Sequence, residues 1–537
     1  MDYGTVAAEL DELIEGDVHT DKADLVTHST DASIFTVTPK IIVYPKSARD
    51  IERVVSYVSS RARELPGLSI TARAAGTCMS GGSLNESIIL DVSKYMNSSG
   101  DVQDGGVINV QPGMYYRDFE VKTLARGYIL PSYTASKNLC AVGGMIANNS
   151  SGERTLTFGD TSRYVQKLKV VLSDGNEYTF GPLDKNELEA MLQQDSFEGD
   201  IYRKIVALIG DNYELIRSKK PQVSKNSSGY LLWNIWNKDR FNLAQLMCGA
   251  QGTLGIITEA TMSLVPEKQH RSLLVMELRK LAPLPGVVNT VLQFKPNCFE
   301  TYDDHTFDLA EKFIPESAKK VITDSASMLT LIAEFTGSTI AEAEQQASRA
   351  QFALADRGID AHIISDNEDQ QHYWNIRRSS FALLKNHSGE HERTAPFIDD
   401  IVVKPEDLPS FLPRLQTILS EYKLTYTLAG HIGNGNFHLI PLIDMETADA
   451  ADRIIELARR VFALVFEFGG SMAGEHNDGI IRTPFVKDMF GEALYKVFEQ
   501  TKQIFDPNGM FNPGKKVGGT IAYAKEHMTR HNTNAHL

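Results

Sequence analysis

The chain is short of cysteine and of positive charge, and it lacks any long apolar run. Its cysteines, Cys78, Cys140, Cys248 and Cys298, lie far apart with no C-x-x-C pair. That excludes a recognisable iron–sulfur or zinc-ribbon ligand set and leaves four buried, reduced thiols as the expectation. The formal net charge of -15 argues against a nucleic-acid backbone or an anionic membrane surface as the main partner. No stretch approaches the about 18 apolar residues of a membrane span. The opening MDYGTVAAELDELIEGD is acidic and lacks the basic start and apolar core of a signal peptide, so a cytoplasmic protein is expected, with a peripheral station at the inner membrane face left open. Hydrophobic content of 42% and charged content of 23% are those of an ordinary soluble globular protein, and 537 residues can bury a sizeable core.

Two nucleotide signatures are also missing. There is no G-x-G-x-x-G, and no Gly-Lys-Ser/Thr follows a glycine loop, so neither NAD nor ATP is the natural ligand. What is present is a run from Thr71 to Asp91 with Gly76, Gly81 and Gly82 set among Thr77, Ser80 and Ser83 between two strand-like pieces. Glycines allow close backbone approach, and successive N–H groups in such a loop form an anion-binding concavity. GGMIANNSSG from Gly143 to Gly152 and GAQGTLG from Gly249 to Gly255 repeat the pattern. One extended ligand touched along its length accounts for all three loops better than three unrelated turns.

Along the chain, residues 1–36 read as a helical segment, and IIVYP from Ile41 as a buried strand. A helix capped by Ser47 follows, with Ile51, Val54, Val55 and Val58 on one face. Strands are expected at LSITARA, IILDV and VINVQPG, and a hairpin about Asp174-Gly175. After a weakly patterned stretch from Pro182 to Asp239, the alternating GIITEATMSLVP runs to Pro266, where a domain boundary is placed. Beyond it, strands such as LLVMEL and TLIAEF alternate with helices such as Ile340 to Arg357 and Leu408 to Tyr422, as in a mixed sheet covered by helices. The expected division is therefore 37–268, 269–516 and a polar, solvated tail over 517–537, in which His527 and His531 stand at helical spacing.

His431 and His438 flank IGNGNF, whose Asn434-Gly435 favours a two-residue hairpin turn. A turn there sets the two histidines opposite each other, with Cβ atoms about 4.5–5.5 Å apart, close enough to share a cation. Glu475 in GGSMAGEH is the candidate third ligand. Two imidazoles and a carboxylate leave an open position, the pattern of a catalytic metal site, and do not separate zinc from manganese or iron. His476, beside Glu475, is suited to act as a general base or to support the ligands. YWNIRRSSF supplies Arg377 and Arg378, of which at most one is placed to grip a carboxylate.

These residues carry a resemblance. Ala72 to Asn85, Gly143 to Val165 and Gly252 to Pro266 resemble the FAD-binding domain of the vanillyl-alcohol oxidase/PCMH flavoproteins. HIGNGNFH from His431, GGSMAGEHNDG from Gly469 and FDPNGMFNPGK from Phe505 are similar to the branch holding D-lactate dehydrogenase, glycolate oxidase subunit GlcD and D-2-hydroxyglutarate dehydrogenase. The resemblance implies an α+β fold: an FAD-binding domain of two α/β subdomains under a ferredoxin-like cap, with the FDPNGMFNPGK segment returning to the flavin domain. It implies that FAD lies along Arg73, Ala75, Gly76, Thr77, Ser80, Gly81, Gly82 and Ser83, then Gly143, Gly144, Ala147, Asn148, Asn149 and Gly152, then Gly252, Ile256 and Asn512. It places His431, His438 and Glu475 at metal-ligand positions, favours zinc, makes His476 the base, and selects Arg377 for the substrate carboxylate with Arg378 as a surface charge.

The implied activity is oxidation of a D-2-hydroxy acid such as D-lactate or glycolate, with hydride passing to flavin N5. Three departures stand out: Asn434 where relatives commonly carry Asp, Gln251 for a common Glu, and Ile398 where D-2-hydroxyglutarate enzymes carry a Lys. Residues 475–483, EHNDGIIRT, look most like relatives fused to an iron–sulfur domain, so electrons are expected to leave through a separate iron–sulfur protein, quinone or cytochrome. No histidine occurs from Arg73 to Asn85, which makes the FAD non-covalent, and a homodimer is an open option. The competing readings are a metallohydrolase, which leaves the glycine loops unused, and a catalytically silent flavoprotein subunit.

Overall fold

The computed structural model describes residues 2–321, 327–389 and 391–529. Its first sheet takes the order Asp17–His19, Ile41–Tyr44, Ile88–Asp91, Ile70–Arg73. The last three strands are parallel, and Asp17–His19 adds an antiparallel edge. Ile41–Tyr44 and Ile88–Asp91 are buried at every position, as parallel strands covered on both faces must be. Helices Tyr3–Leu13 and Ala48–Arg61 cover one face, the second capped by the Ser47 hydroxyl accepting from the Asp50 N–H and burying Ile51, Val54, Val55 and Val58, while Ile42, Tyr44 and Ile89 on the other face pack against Leu25 and Tyr95. The first glycine loop leaves the carboxyl end of Ile70–Arg73, the end at which open α/β sheets bind ligands.

The second sheet, Val107–Val110, Ile256–Ser263, Val165–Val171, Glu177–Phe180, is antiparallel throughout. Its strand Ile256–Ser263 alternates buried and half-buried positions, which places one face on the core. The third sheet runs Ala361–Ile364, His270–Leu278, Leu329–Gly337, Cys298–Asp303, Tyr426–His431, Asn436–Asp444, Glu392–Thr394, with Ile401–Val402 also paired to Asn436–Asp444. Helices Ile340–Ala355, Asn367–His387, Leu408–Ser420 and Ala450–Glu467 accompany it. Helix Val486–Phe505 then returns the chain to the first sheet, where Ile70 donates its N–H to Met510 O and accepts from the Asn512 N–H.

Several expectations are corrected. Residues 1–36 hold helices Tyr3–Leu13 and Lys22–Thr27, and between them the unexpected strand Asp17–His19 pairs with Ile41–Tyr44; three polar-flanked residues carry no readable alternation. The weakly patterned stretch from Pro182 holds helices Lys185–Leu192, Phe197–Asp211 and Tyr213–Ser218. The tail is not a solvated strand of chain up to residue 529: Ile521–His527 is helical with Thr520 as cap, and the Thr529 N–H donates to Ile34 O. His527 sits 3.0 Å from Glu86, whereas His531 lies outside the described residues. Of the thiols, Cys140, Cys248 and Cys298 are buried but Cys78 is half-buried.

Candidate active site

The turn between His431 and His438 is longer than the two residues expected. A 3-10 turn over Ile432–Asn434 and a left-handed Gly435 at φ 67° pair His431 with Asn436, and Ala429 with His438. The histidines are therefore diagonal neighbours on one face of the ladder rather than directly opposed, and still come to a ring separation of 5.0 Å. No side chain fits at Gly435, since a Cβ there would stand 1.8 Å from Val403 O.

Glu475 reaches this pair from a loop held by Asp400, whose Oδ2 accepts the N–H of Glu475 at 2.8 Å and of His476 at 2.7 Å. Glu475 Oε1 lies 3.2 Å from His431 Nε2, 3.3 Å from His438 Nε2 and 3.6 Å from His476 Nε2. The donor atoms of His431, His438 and Glu475 lie within 4.8 Å of one another, so a single cation can touch all three. The far nitrogens are committed elsewhere: His431 Nδ1 is 2.8 Å from Glu300 Oε1, and His438 Nδ1 donates to Asp399 O at 2.7 Å. These bonds present both Nε2 atoms to the shared point, the outer-sphere support that metal-binding histidines use. The other oxygen of Glu475 accepts from Lys225 Nζ at 2.7 Å and Ser151 Oγ at 3.1 Å.

His476 Nδ1 lies 2.6 Å from Asp399 Oδ2, and Asp399 is also gripped by Arg482. Burial works to lower all three imidazoles. For His431 the Glu300 and Glu475 carboxylates together outweigh burial and the pKa is raised; His438 is lowered; His476, facing Asp399 and Asp400, is lifted to about 9. Burial would raise Glu475, but Lys225 and His431 hold it well below the usual carboxylate range. The lowered Glu475 and His438 favour cation binding, and the raised His431 opposes it.

Arg377 is buried on helix Asn367–His387 and points into the site, where its Nη2 and Nε lie 2.9 and 3.1 Å from Glu300 Oε2. It thus stands behind His431 through Glu300. Arg378 is not a surface charge: it forks onto Glu153 at 2.6 and 3.0 Å and stacks on Trp374, which ties the cap helix to the second glycine loop.

The three glycine loops converge. Asn512 Nδ2 donates to Gly82 O and to Gln251 O, Gln251 Nε2 donates to Asn148 Oδ1, and Gln251 N donates to Ala147 O. The same cluster joins the histidine loop, because Ser80 Oγ donates to His476 O and Asn477 Nδ2 donates to Asn148 O. A group lying along these loops is accommodated at Gly144 and Gly252, where an added Cβ would meet open space or nothing nearer than 3.8 Å. Arg73, buried, has Nη1 without a partner among the described residues, a donor suited to an anion, while its Nη2 binds Thr30 O. Ala75, Gly76 and Thr77 stay half-buried beside it.

Other expected cofactor residues also make contacts within the protein. A Cβ at Gly143 or Gly152 would strike Pro112 or Tyr133 O, and their N–H groups are already bound to Pro112 O and Thr155 Oγ1. Gly81 makes room for Phe35 and Ile480, Ser83 Oγ bonds Asp31, and Asn149 accepts from the Ser162 N–H. Ile256 is buried in the core, paired with Val171.

Sequence reasoning missed Lys225, Glu300, Asp399, Asp400 and Arg482. Asp399-Asp400 inside FIDDIVV and Glu300 inside CFETYD carried a signal, acids within apolar strand-like runs. Lys225 in SKNSSGY carried none.

Residues 39–181 match the FAD binding domain family, and residues 267–516 match the FAD linked oxidases, C-terminal domain. D-2-hydroxyglutarate dehydrogenase of Pantoea ananatis is 29% identical over 93% of this chain and 50% of that protein. The chain thus spans about half the length of the curated relatives it matches first. D-lactate dehydrogenase of Anaerostipes hadrus is 25% identical over 91% of this chain and 92% of its own. In fold, p-cresol methylhydroxylase with substrate bound superposes with a TM-score of 0.69 at 14% identity, covering 96% of each chain. The chain thus pairs a segment matching an FAD binding domain with one matching the C-terminal domain of FAD linked oxidases, on a fold shared with p-cresol methylhydroxylase.

Proposed function

We propose that this protein oxidises a small D-2-hydroxy acid to the 2-oxo acid with a non-covalent FAD and a divalent cation, and passes the electrons to an external acceptor. The observation that carries the reading is the convergence of His431, His438, Glu475 and His476 against the loops that hold one another through Asn512, Gln251 and Ser80. The relatives named above for D-2-hydroxyglutarate and D-lactate support the substrate class. FAD when bound supplies the hydride acceptor, and the cation, zinc or else manganese or iron, favours the ionised form of the substrate hydroxyl.

The chain's own residues do the rest. His431, His438 and Glu475 would hold the cation. Arg377 takes the substrate carboxylate with the edge of its guanidinium not used by Glu300. His476 receives the hydroxyl proton at Nε2, its ring fixed by Asp399 at Nδ1. Asp399 strengthens that base, and a cation held at Glu475 would oppose the lift to about 9. An iron–sulfur protein, a quinone or a cytochrome is the acceptor class. No helix among the described residues is long and apolar enough to cross a membrane.

The test is anaerobic titration of the purified yellow protein with achiral glycolate and with both enantiomers of lactate and of 2-hydroxyglutarate. Bleaching by one D-acid and not its enantiomer is expected. Flavin that none of them reduces favours a silent subunit instead and ends the dehydrogenase reading.

A further inference from the structure

Lys225 is nearly inaccessible, its side chain 1% exposed, yet it belongs to no glycine loop and to no part of the histidine hairpin. It comes from the SKNSSGY segment, where Ser224 Oγ binds Asn434 O and the Ser227 N–H donates to Ala473 O. Those bonds, from both sides, fix the segment against the turn and against the Glu475 loop. The ammonium ends between Glu475 Oε2 at 2.7 Å and Asn436 Oδ1 at 3.0 Å. A buried charge is costly unless paired, so a lysine carried this deep marks a function for its charge.

The two oxygens of Glu475 are thereby made unequal. Oε2 is occupied by Lys225 and Ser151, and Oε1 alone faces the imidazole nitrogens. A carboxylate left free would close on a cation with both oxygens and fill the position a substrate needs. The ammonium also sits on the same carboxylate as the cation and subtracts from the negative charge available to it.

We propose that Lys225 is a positioning residue that keeps Glu475 a one-oxygen ligand and trades cation affinity for an open coordination position. This rests on the cation reading above. Lys225 acts through Glu475 and touches no reacting atom, so its signature is an opposite movement of affinity and turnover. A merely structural lysine moves both the same way.

The experiment is chelator competition for Zn²⁺ and Mn²⁺ on FAD-loaded protein, with steady-state kinetics and thermal melting alongside. Lys225→Met is expected to bind the cation about tenfold more tightly while kcat falls about 10–100-fold, the scale on which outer-sphere partners act. Lys225→Gln keeps a donor on Oε2 and removes the charge, so it should show the tighter binding with a smaller loss of kcat; it also serves if the Met variant does not fold. Weaker cation binding in both variants, in step with a lowered melting temperature, overturns the proposal and leaves the cation site standing. A wild type that binds neither ion, with activity intact, overturns the cation reading and this proposal with it.

Discussion

Asp399 joins a loop residue to a helix residue: its Oδ2 lies 2.6 Å from His476 Nδ1, and its Oδ1 meets Arg482, six residues further on in the short helix Gly479–Arg482 and fully buried. The carboxylate is itself inaccessible, and although burial would raise its pKa, His476 and Arg482 keep it below the ordinary value. An ionised Asp399 allows only one tautomer of a neutral His476, with the proton on Nδ1 and the lone pair on Nε2 facing Glu475.

His476→Gln is accordingly expected to lower kcat by about 10²–10⁴, the range for loss of a general base. FAD content should be unchanged, because only the His476 backbone carbonyl touches Ser80. Stopped-flow measurement of flavin reduction checks it, and a reduction rate equal to the wild type would remove His476 from the reaction.

Arg377 and Glu300 separate by their kinetic signatures. Arg377→Met removes a charge-assisted contact worth about 1.5–3 kcal/mol, so kcat/KM should fall about 10–100-fold with most of the change in KM. Glu300→Gln leaves the substrate contact but weakens the support of His431 Nδ1, so cation affinity should fall while KM moves little. If both variants lose cation and neither shifts KM, Arg377 is only the partner of Glu300 and the substrate carboxylate is held elsewhere.

How much of this was legible in the sequence depends on the range of each interaction. The strands at Ile41 and Ile256 and the Ser47 cap follow from local pattern, and so does the Asp174-Gly175 hairpin, in which Gly175 takes φ 83°. The hairpin of His431 and His438 was legible as a pair but not in register, because Asn434-Gly435 fits both a two-residue turn and the longer turn observed. Lys225 to Glu475, 250 residues apart, was invisible to any local pattern. Arg378 looked like surface because its partner, Glu153, lies in the other domain.

That Arg378–Glu153 pair sets the acid sensitivity of the contact between cap and glycine loop. Burial would raise Glu153, but Arg378, with help from Tyr133 and Arg154, holds it far below the ordinary carboxylate value. A depressed carboxylate contributes stability that is present above its unfolded pKa of about 4.3 and is lost as pH falls below it. Urea melts at descending pH should therefore show the wild type losing stability below about pH 4.5, with Glu153→Gln losing less over the same interval. Arg378→Met at neutral pH removes the ion-pair partner of a buried carboxylate, leaving it the Tyr133 hydroxyl, and should cost roughly 3 kcal/mol. Equal acid profiles for wild type and Glu153→Gln would show that the pair does not hold the domains.

Two glycines allow the cofactor and the cation to be addressed separately. At Gly474 an added Cβ would stand 2.9 Å from Val402 Cγ2 and 3.1 Å from both Asn436 Nδ2 and Asp400 Oδ1. Gly474→Ala must push the Glu475 loop away from Asp400, so it is expected to cost about 1–3 kcal/mol of stability. Cation binding and turnover should be lost, with FAD retained. At Gly144, within helix Val142–Asn148, an added methyl meets no protein atom within 4 Å, and alanine is the better helix former. Gly144→Ala should therefore leave the flavin-free protein as stable as before, or about 0.5–1 kcal/mol more so, while weakening FAD because the methyl occupies the space the flavin nucleotide needs. Flavin fluorescence after gel filtration and melting of the stripped protein measure both. Full FAD affinity in Gly144→Ala would move the cofactor away from the second glycine loop and return that loop to a purely structural role.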